Sequence, residues 1–186
     1  MKKRTKIYVI EGVDACGKTT VCRELSKLNN WKYICTPTGF FKEQINDIEK
    51  LGDKPLAFSY FLSAVLNTSY LIKKDIKNQK TVICDRYYPT LKVYYNAINF
   101  SQDFINIENI PIIRPDKIIH LYVDYKKIKE RLKNKKSLSV DELKLIKNKI
   151  FYDRLVEEYK KECDIEINAT NLSINEVVKK LQNILI

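Results

Sequence analysis

The sequence predicts a three-layer α/β fold in which a five-stranded parallel sheet is flanked by helices. Two observations predict this fold. Short apolar stretches alternate with longer stretches of helical periodicity, and the first apolar stretch runs directly into a glycine-containing loop and a helix. Such alternation is typical of β–α–β units, in which consecutive strands are parallel. At 186 residues, with 45% hydrophobic and 31% charged residues, the chain suits a single globular domain spanning residues 1–186.

Each element is predicted from its own pattern. Strands are expected where residues are apolar and β-branched, and helices where apolar residues recur at helical spacing, as Val21, Leu25 and Leu28 do. The predicted strands are Lys6–Ile10, Tyr33–Thr36, Thr81–Asp85, Lys117–Val123 and Asp164–Asn168. The predicted helices are Lys18–Leu28, Gly39–Leu51, Pro55–Lys77, Thr90–Ile98, Tyr125–Lys133, Val140–Glu162 and Ile174–Leu185.

The loop after the first strand carries the pattern G-x-x-x-x-G-K-[ST], from Gly12 to Thr19. Its glycines let backbone amides point inward, and these amides and the following helix N-terminus suit a polyphosphate. Lys18 can reach the outer phosphates, and the Thr19 hydroxyl can ligate Mg²⁺. The pattern predicts a P-loop NTPase fold with ATP and Mg²⁺ as cofactors. The expected ATP-binding residues are Gly12, Val13, Asp14, Ala15, Cys16, Gly17, Lys18, Thr19 and Thr20.

Further polar residues follow the second and third predicted strands. Asp85 could order water on Mg²⁺, and Arg86 beside it could hold a phosphate through its planar guanidinium. Thr36 to Gly39 could line a substrate site or simply form a turn. Because ligands gather at the carboxyl ends of parallel strands, we expect these segments to face the phosphate loop.

A short basic segment, at about residues 133–141, separates two predicted helices. In a phosphoryl-transfer enzyme such a segment can close over the triphosphate as a lid, although a solvated charged loop is an open alternative. Its lysines are Lys133, Lys135 and Lys136, with Arg131 just before them. The only histidine, His120, lies in an apolar strand and is expected to be a core residue.

Composition excludes several classes of protein. The net charge of +11 comes from lysines spread along the chain, so nucleic acid is not the expected partner. No apolar run approaches the length of a membrane span, and the N-terminus leads directly into a strand without a signal-peptide core. Five cysteines form no C-x-x-C pair. We therefore expect a cytoplasmic protein with no membrane partner.

Taken in order, these motifs resemble those of the thymidylate kinases, a family of P-loop nucleoside-monophosphate kinases. Glu11-Gly-Val-Asp-x-x-Gly-Lys-Thr-Thr20 is similar to the family's phosphate loop, and Asp85-Arg-Tyr87 to its D-R-[YFH] motif. Pro115-Asp116 matches its P-D element, and Phe151 to Tyr159 resembles the helix after its lid. The resemblance covers nearly the whole chain.

The resemblance implies transfer of the ATP γ-phosphoryl group to a deoxynucleoside monophosphate, with dTMP the best single candidate. Lys18, Asp14, Asp85 and Arg86 would be the catalytic residues, Thr19 and, through water, Asp85 would hold Mg²⁺, and the chain would form a homodimer through the apolar helix from Pro55 to Ile72. The residues expected to contact the acceptor are Asp14, Pro37, Phe61, Leu62, Arg86 and Tyr94.

The chain departs from the family's pattern where the base is read. The family's phenylalanine and arginine, which lie in a helix pattern like L-F-[SA]-A-x-R, align with Leu62 and Leu66, although a shift by one residue would let Phe61 stack on the base. Lysines replace the lid arginine, and Arg154 is another candidate for its role. Two alternatives stay open: a deoxynucleoside kinase, in which Asp85 acts as a base, and a non-catalytic nucleotide-binding protein.

Overall fold

The computed structural model describes residues 5–100 and 107–186. They form one five-stranded sheet with strand order β2-β3-β1-β4-β5, and every neighbouring pair is parallel. The predicted fold class is therefore confirmed. The expectation about the N-terminus falls on residues 1–4, which lie outside the described residues. The strands are β1 (Ile7–Glu11), β2 (Lys32–Cys35), β3 (Val82–Asp85), β4 (Lys117–Tyr122) and β5 (Ile165–Asn168).

Helices connect the strands and cover both faces of the sheet. A short 3₁₀ turn at Ile107–Asn109 precedes β4. The helices are α1 (Lys18–Asn29), α2 (Phe40–Glu43), α3 (Ile45–Lys50), α4 (Lys54–Lys77), α5 (Tyr88–Ala97), α6 (Tyr125–Lys133), α7 (Val140–Lys147), α8 (Lys149–Glu162) and α9 (Ile174–Leu185).

Two of the predicted helices are each divided in the structure. The segment predicted as one helix from Gly39 to Leu51 forms α2 and α3, which meet at Gln44. The segment from Val140 to Glu162 forms α7 and α8, because Asn148 adopts an extended backbone and its side chain accepts a hydrogen bond from the Phe151 amide. An asparagine that caps a new helix start competes with continuation of the old helix, which apolar periodicity alone does not reveal.

The central strand β1 shows how the core is built on both faces of the sheet. Tyr8 and Ile10 belong to the apolar cluster that contains residues of α1 and α9, and Ile7 and Val9 belong to the cluster that contains residues of α4 and α5. All four side chains are buried. Side chains alternate between the two faces of a strand, so a continuous apolar run is the pattern expected of a strand covered on both sides.

Helix α4 is, among residues 5–100 and 107–186, the one helix long and apolar enough by length and composition to cross a membrane. The sequence-based expectation of no such run was therefore too strict. One side of α4 packs against β2, β3 and α5, as in the core helix of a water-soluble fold. The buried residues on that side are Phe58, Ala64, Val65, Thr68, Ser69 and Ile72.

The strand register places the motifs at one edge of the sheet. Ile10 of β1 is paired with Asp85 of β3, and Glu11 is paired with His120 of β4. The phosphate loop and the Asp85–Arg86 segment therefore leave the sheet side by side. This edge, at the carboxyl ends of the strands, is where open α/β sheets bind ligands.

Candidate active site

A cavity of about 1120 Å³ lies at this edge of the sheet. The phosphate loop and the ends of β2 and β3 form its floor, and residues of α3, α4, α5 and α7 form its walls. Its volume slightly exceeds the usual range for small-molecule sites, which is about 300–1,000 Å³. The cavity is therefore larger than a site for one small molecule usually is.

The phosphate loop owes its shape to glycine at two positions. Gly12 has φ +143°, and a β-carbon built there would lie 2.2 Å from the carbonyl oxygen of Leu121. Gly17, which precedes α1, has φ +110°. Side chains at either position would strain the backbone, and at Gly12 a side chain would also clash with β4. Close packing on β4 thus requires the first glycine of the motif.

Lys18 is buried beneath the loop, with 5% of its surface exposed. Its ammonium group donates a hydrogen bond to the carbonyl oxygen of Val13, at 2.7 Å. The group is thus held at the centre of the loop, where the inward-facing amides favour an anion. The Lys18 charge points to the place where a triphosphate would lie.

Thr19 and Asp85 meet beside Lys18. The Thr19 hydroxyl donates to Oδ2 of Asp85 at 2.5 Å, and the Tyr33 hydroxyl donates to the same oxygen at 3.3 Å. Asp85 is buried, with 6% of its surface exposed. One hydroxyl and one carboxylate beside a phosphate-binding loop are the donor set that Mg²⁺ uses when phosphates and water supply its remaining ligands. The residues present therefore fit a magnesium ion.

Arg86 and Asp14 form an ion pair across the cavity floor. The guanidinium donates to Oδ1 of Asp14 at 2.5 Å and to the hydroxyl of Thr90 at 3.2 Å, and it lies over the ring of Tyr94 at 5.6 Å. Burial by itself would raise the pKa of Asp14, but the charges of Arg86 and Lys18 outweigh it and lower that pKa. Asp14 is thus kept ionised, and it holds Arg86 facing the cavity.

Arg86 is also held by its backbone. Its φ of +67° lies in the left-handed region, which only a few per cent of non-glycine residues adopt. Residues in such sparsely populated conformations cluster at functional sites, where the surrounding contacts impose them. The conformation turns the chain sharply at the end of β3.

Glu11 is a functional residue that sequence reasoning missed. It is fully buried at the end of β1, and its carboxylate accepts hydrogen bonds from the Tyr87 amide, at 2.7 Å, and from the Thr90 hydroxyl. Burial raises the pKa of Glu11 to about 7, although these hydrogen bonds and the charge of Arg86 lower it. Glu11 therefore fixes the segment after β3 against β1. A carboxylate at the end of a fully apolar strand was the signal available in the sequence.

Besides Asp14, four of the residues expected to contact the acceptor line the cavity: Pro37, Phe61, Arg86 and Tyr94. Leu62 does not line the cavity and packs against an apolar cluster. Val65, rather than the exposed Leu66, lines the wall one turn after Phe61. Because each residue turns a helix by about 100°, an alignment error of one position selects a different face. The residues at the aligned positions, Leu62 and Leu66, therefore do not line the cavity, whereas the register shifted by one residue places Phe61 and Val65 there.

Only some of the expected lid residues reach the cavity. Arg131 lines it and donates to the carbonyl oxygens of Ala15 and Cys16, at 2.8 and 3.0 Å. Lys135 also lines it, with its ammonium group 2.7 and 2.8 Å from the two carboxylate oxygens of Glu142. Three expected lid candidates, Lys133, Lys136 and Arg154, are not among the residues that line this cavity. Lys133 and Lys136 are exposed to solvent.

The loop between α6 and α7 spans residues 134–139, so the expected lid at 133–141 includes one residue of α6 and two of α7. Ser139 and Glu142 form a capping box at the start of α7, where each receives a backbone hydrogen bond from the other. Such a box stabilises a helix start. The loop therefore ends at a firmly defined helix whose residues Asp141 and Lys144 line the cavity.

His120 lies in the core, as expected from its apolar strand. Its ring is fully buried and stacks on Tyr159 with 5.0 Å between ring centroids. Burial, together with the charges of Lys18 and Lys160, lowers the pKa of His120 to about 4. The histidine is therefore neutral at physiological pH.

The comparisons with known proteins agree with this geometry. The model of the thymidylate kinase family matches residues 10–181. A probable thymidylate kinase of Methanocaldococcus jannaschii is 30% identical over 186 aligned residues, which cover 95% of each chain. One of Methanococcus aeolicus is 32% identical and is matched over 95% of this chain and 93% of its own.

Solved structures share the fold. The thymidylate kinase of Candida albicans matches with a TM-score of 0.77 and 22% identity, over 98% of this chain and 91% of its own. The deoxyadenosine kinase of M. mycoides with bound dATP matches with a TM-score of 0.66 and 22% identity, over 96% and 98%. The family model spans almost the entire chain and includes both phosphate-binding segments. This chain belongs to the thymidylate kinase family and is a kinase, a phosphotransferase, of the P-loop class.

Proposed function

We propose that this protein transfers the γ-phosphoryl group of ATP to the phosphate of dTMP and produces ADP and dTDP. The observation that carries the proposal is that two separate cationic side chains, those of Lys18 and Arg86, line one cavity. Lys18 begins α1, after the loop that follows β1, and Arg86 follows the neighbouring strand β3. A donor triphosphate and an acceptor phosphate can thus meet head to head between them.

The donor would lie on the phosphate loop. The amides of residues 12–20 and the ammonium group of Lys18 would hold its phosphates. The Thr19 hydroxyl, and Asp85 through water, would hold Mg²⁺, which when bound neutralises charge on the donor phosphates. Since Thr19 and Asp85 are already in contact, little rearrangement of either side chain would be required.

The acceptor would lie between α4 and α5. Arg86 would bind its phosphate, and Asp14 would hold Arg86 in place and face the region where sugar and phosphate join. Tyr94, whose hydroxyl lies 3.4 Å from Asp14, would pack against the sugar, and Phe61 would stack on the base. Pro37 would close the side of this pocket that faces β2.

An acceptor that is already an anionic phosphate requires no strong base, so positioning and charge neutralisation carry the catalysis. In the alternative, a deoxynucleoside kinase, a base must take a proton from a sugar hydroxyl. Asp85 instead accepts hydrogen bonds from both Thr19 and Tyr33. This arrangement favours a metal-holding role for Asp85 and hence the monophosphate acceptor.

The loop at residues 133–141 would act as a lid over the donor. Arg131 and Lys135 line the cavity on that side, and either charge could face the transferred group. Arg131 can supply a planar pair of donors, whereas Lys135 supplies a point charge. Closure of such a segment excludes water, which would otherwise compete with the acceptor phosphate.

The enzyme would work as a homodimer in the cytoplasm. On the outer side of α4, Leu66 and Tyr70 are exposed by 41% and 67% and lie one turn apart, so a second copy of the chain could cover them. All five cysteines are free thiols, as is usual in a reducing compartment. Sedimentation of Tyr70→Glu against the unaltered protein tests the dimer, since a charge at this interface should yield monomers.

The activity is tested by ADP formation from ATP and Mg²⁺ against dTMP, dUMP, dCMP, dGMP, UMP and thymidine. Turnover of dTMP that Lys18→Ala reduces by about a hundredfold or more is the expected result. Reaction of thymidine without reaction of the monophosphates would instead identify a deoxynucleoside kinase. No turnover of any acceptor, together with tight ATP binding, would indicate a non-catalytic nucleotide-binding protein.

A further inference from the structure

One carboxyl group in the cavity has no assigned task. Glu49 of α3 lines the cavity, and its Oε2 atom is inaccessible to solvent. No residue among 5–100 and 107–186 forms a hydrogen bond with that atom. A buried polar atom without a partner is destabilising. Rotation of the Glu49 carboxyl group would turn this oxygen toward the cavity that the residue lines, where a ligand could pair with it.

The charges around Glu49 come from every side of the cavity. Asp141 and Lys144 face it from α7, Asp14 from the phosphate loop and Arg86 from the end of β3. Burial is the main cause that raises the pKa of Glu49 to about 7; Asp141 and Asp14 raise it further, and Lys144 and Arg86 lower it. Near neutral pH the group is therefore present in both its acid and its carboxylate forms.

The position of Glu49 suits the base rather than the phosphate of an acceptor. Its charge acts on the hydroxyl of Tyr95, on the α5 wall of the same cavity. The α4 wall supplies the flat apolar face of Phe61 and, one turn later, Val65. In the register shifted by one residue, Val65 lies where the family has an arginine, so beside Phe61 the α4 wall has no group that can hydrogen-bond to a base.

The edge of thymine has a specific chemistry. Its ring N–H donates, and the carbonyl oxygens on either side accept. A carboxylic acid complements this edge because one oxygen accepts from the N–H while its own O–H donates to a carbonyl. A carboxylate lacks that donor and faces the carbonyl oxygens with negative charge. Cytosine, with an amino group on this edge, can still donate to a carboxylate.

We propose that Glu49 is the specificity-determining residue for the acceptor base, and that its acid form pairs with the imide edge of thymine in place of an arginine. The proposal rests on the proposed function and names the group that reads the base. The pairing requires only that the acceptor base lie between Phe61 and α3. It also explains why a family member can lack a hydrogen-bonding residue at Val65.

The experiment measures kcat and KM for dTMP and dCMP between about pH 6 and about pH 8.5, below the titration of the thymine N–H. In the unaltered enzyme, kcat/KM for dTMP relative to dCMP should fall up to about tenfold for each pH unit above about pH 7. Glu49→Gln keeps one acceptor and one donor in nearly the same shape. It should therefore retain dTMP activity and remove the pH dependence of that ratio.

Glu49→Leu removes the pairing, and KM for dTMP should rise about tenfold or more while KM for ATP stays within about twofold. Glu43→Gln is the matched control, since Glu43 lies on α2 and is not among the residues that line the cavity. Thermal unfolding shows whether each variant is folded. Glu49→Gln, which removes no atoms, remains informative even if Glu49→Leu is unstable.

The outcomes separate the two proposals. If the unaltered enzyme phosphorylates dTMP and Glu49→Leu has the same KM, the role of Glu49 is refuted and the proposed function stands. A Glu49→Gln variant that keeps the pH dependence of the dTMP to dCMP ratio also refutes the pairing. An unaltered enzyme that does not use dTMP at all overturns the proposed function and, with it, the thymine pairing.

Discussion

The carboxylate of Asp14 and the guanidinium of Arg86 form an ion pair at 2.5 Å, although 72 positions separate them in the chain. Asp14 lies in the phosphate loop after β1, and Arg86 follows β3, the strand paired with β1. Asp14 thus lies on the proposed donor side of the cavity and holds Arg86, the residue that we assign to the acceptor phosphate. In the proposed function, the acceptor phosphate would share Arg86 with Asp14, which would couple the donor and acceptor sites.

Arg86→Lys tests that coupling. Lysine keeps the charge but not the planar pair of donors, so one of the contacts to Asp14, Thr90 or the acceptor phosphate must be lost. A charged hydrogen bond contributes about 1.5–3 kcal/mol, so kcat/KM for the acceptor should fall roughly 10- to 100-fold. Steady-state kinetics with varied dTMP measures the loss. Arg23→Lys, at an exposed position of α1, is the control; equal effects of the two changes would contradict the assignment.

Thr19→Val tests the magnesium site. The change removes the hydroxyl that contacts Asp85 and keeps a side chain of similar shape. We expect the Mg²⁺ concentration for half-maximal activity to rise about tenfold or more, as typically follows loss of a metal-site partner. Activity titrated with Mg²⁺ at fixed ATP and dTMP is the measurement. An unchanged magnesium requirement would show that Thr19 does not hold the metal.

Arg131→Ala tests how the phosphate loop is supported. Arg131 donates to the carbonyl oxygens of Ala15 and Cys16, so its loss should loosen the loop and raise KM for ATP about tenfold. Its effect on KM for dTMP should be smaller, since the acceptor lies beyond the loop. Lys126→Ala, at an exposed position on the same helix, serves as the control. A larger effect on dTMP than on ATP would contradict this role.

His120→Phe tests the buried histidine. The pKa of His120 is about 4 when folded and about 6.5 when exposed. The unfolded chain therefore takes up the proton first as pH falls from about 6.5 to about 4, and the free energy of unfolding decreases over this range. At pH 5 this effect amounts to about 2 kcal/mol. Phenylalanine can keep the stack on Tyr159 and cannot be protonated.

The measurement compares urea unfolding of His120→Phe and of the unaltered protein at pH 7 and at pH 5. Glu11 and Glu49, whose pKa values are raised to about 7, have the opposite effect, because the folded state protonates them first and gains stability as pH falls. They contribute equally to both proteins, so the difference isolates His120. The same loss of stability in both would show that His120 is not buried in its neutral form.

Local patterns predicted much of this protein. The phosphate loop from Gly12 to Thr19 is contiguous, and its shape follows from its glycines and the adjoining helix. The strands could be predicted because short continuous apolar runs in a chain of this size usually form buried strands. The division between α7 and α8 was missed for a local reason as well, since the cap formed by Asn148 breaks a pattern that remains apolar across it.

Contacts between distant segments could not be predicted in this way. The burial of Glu11 against Tyr87, the ion pair of Lys135 with Glu142 and the unpartnered carboxyl of Glu49 each depend on how separate elements pack. Neighbouring residues of α4 point about 100° apart around the helix axis. Only the packing of α4 on the sheet could therefore show that Phe61, and not Leu62, lines the cavity.

The amino-acid sequence alone determined the fold class, the phosphate loop and the pair Asp85–Arg86, because each is encoded in adjacent residues and in the rule that parallel strands end at one edge. Packing in three dimensions decided how Asp14 holds Arg86, that Arg131 and Lys135 line the cavity, and that the carboxyl group of Glu49 keeps an oxygen without a partner among the described residues. These features depend on angles and on distances of a few ångströms between elements far apart in the chain, and no local pattern of residues records them.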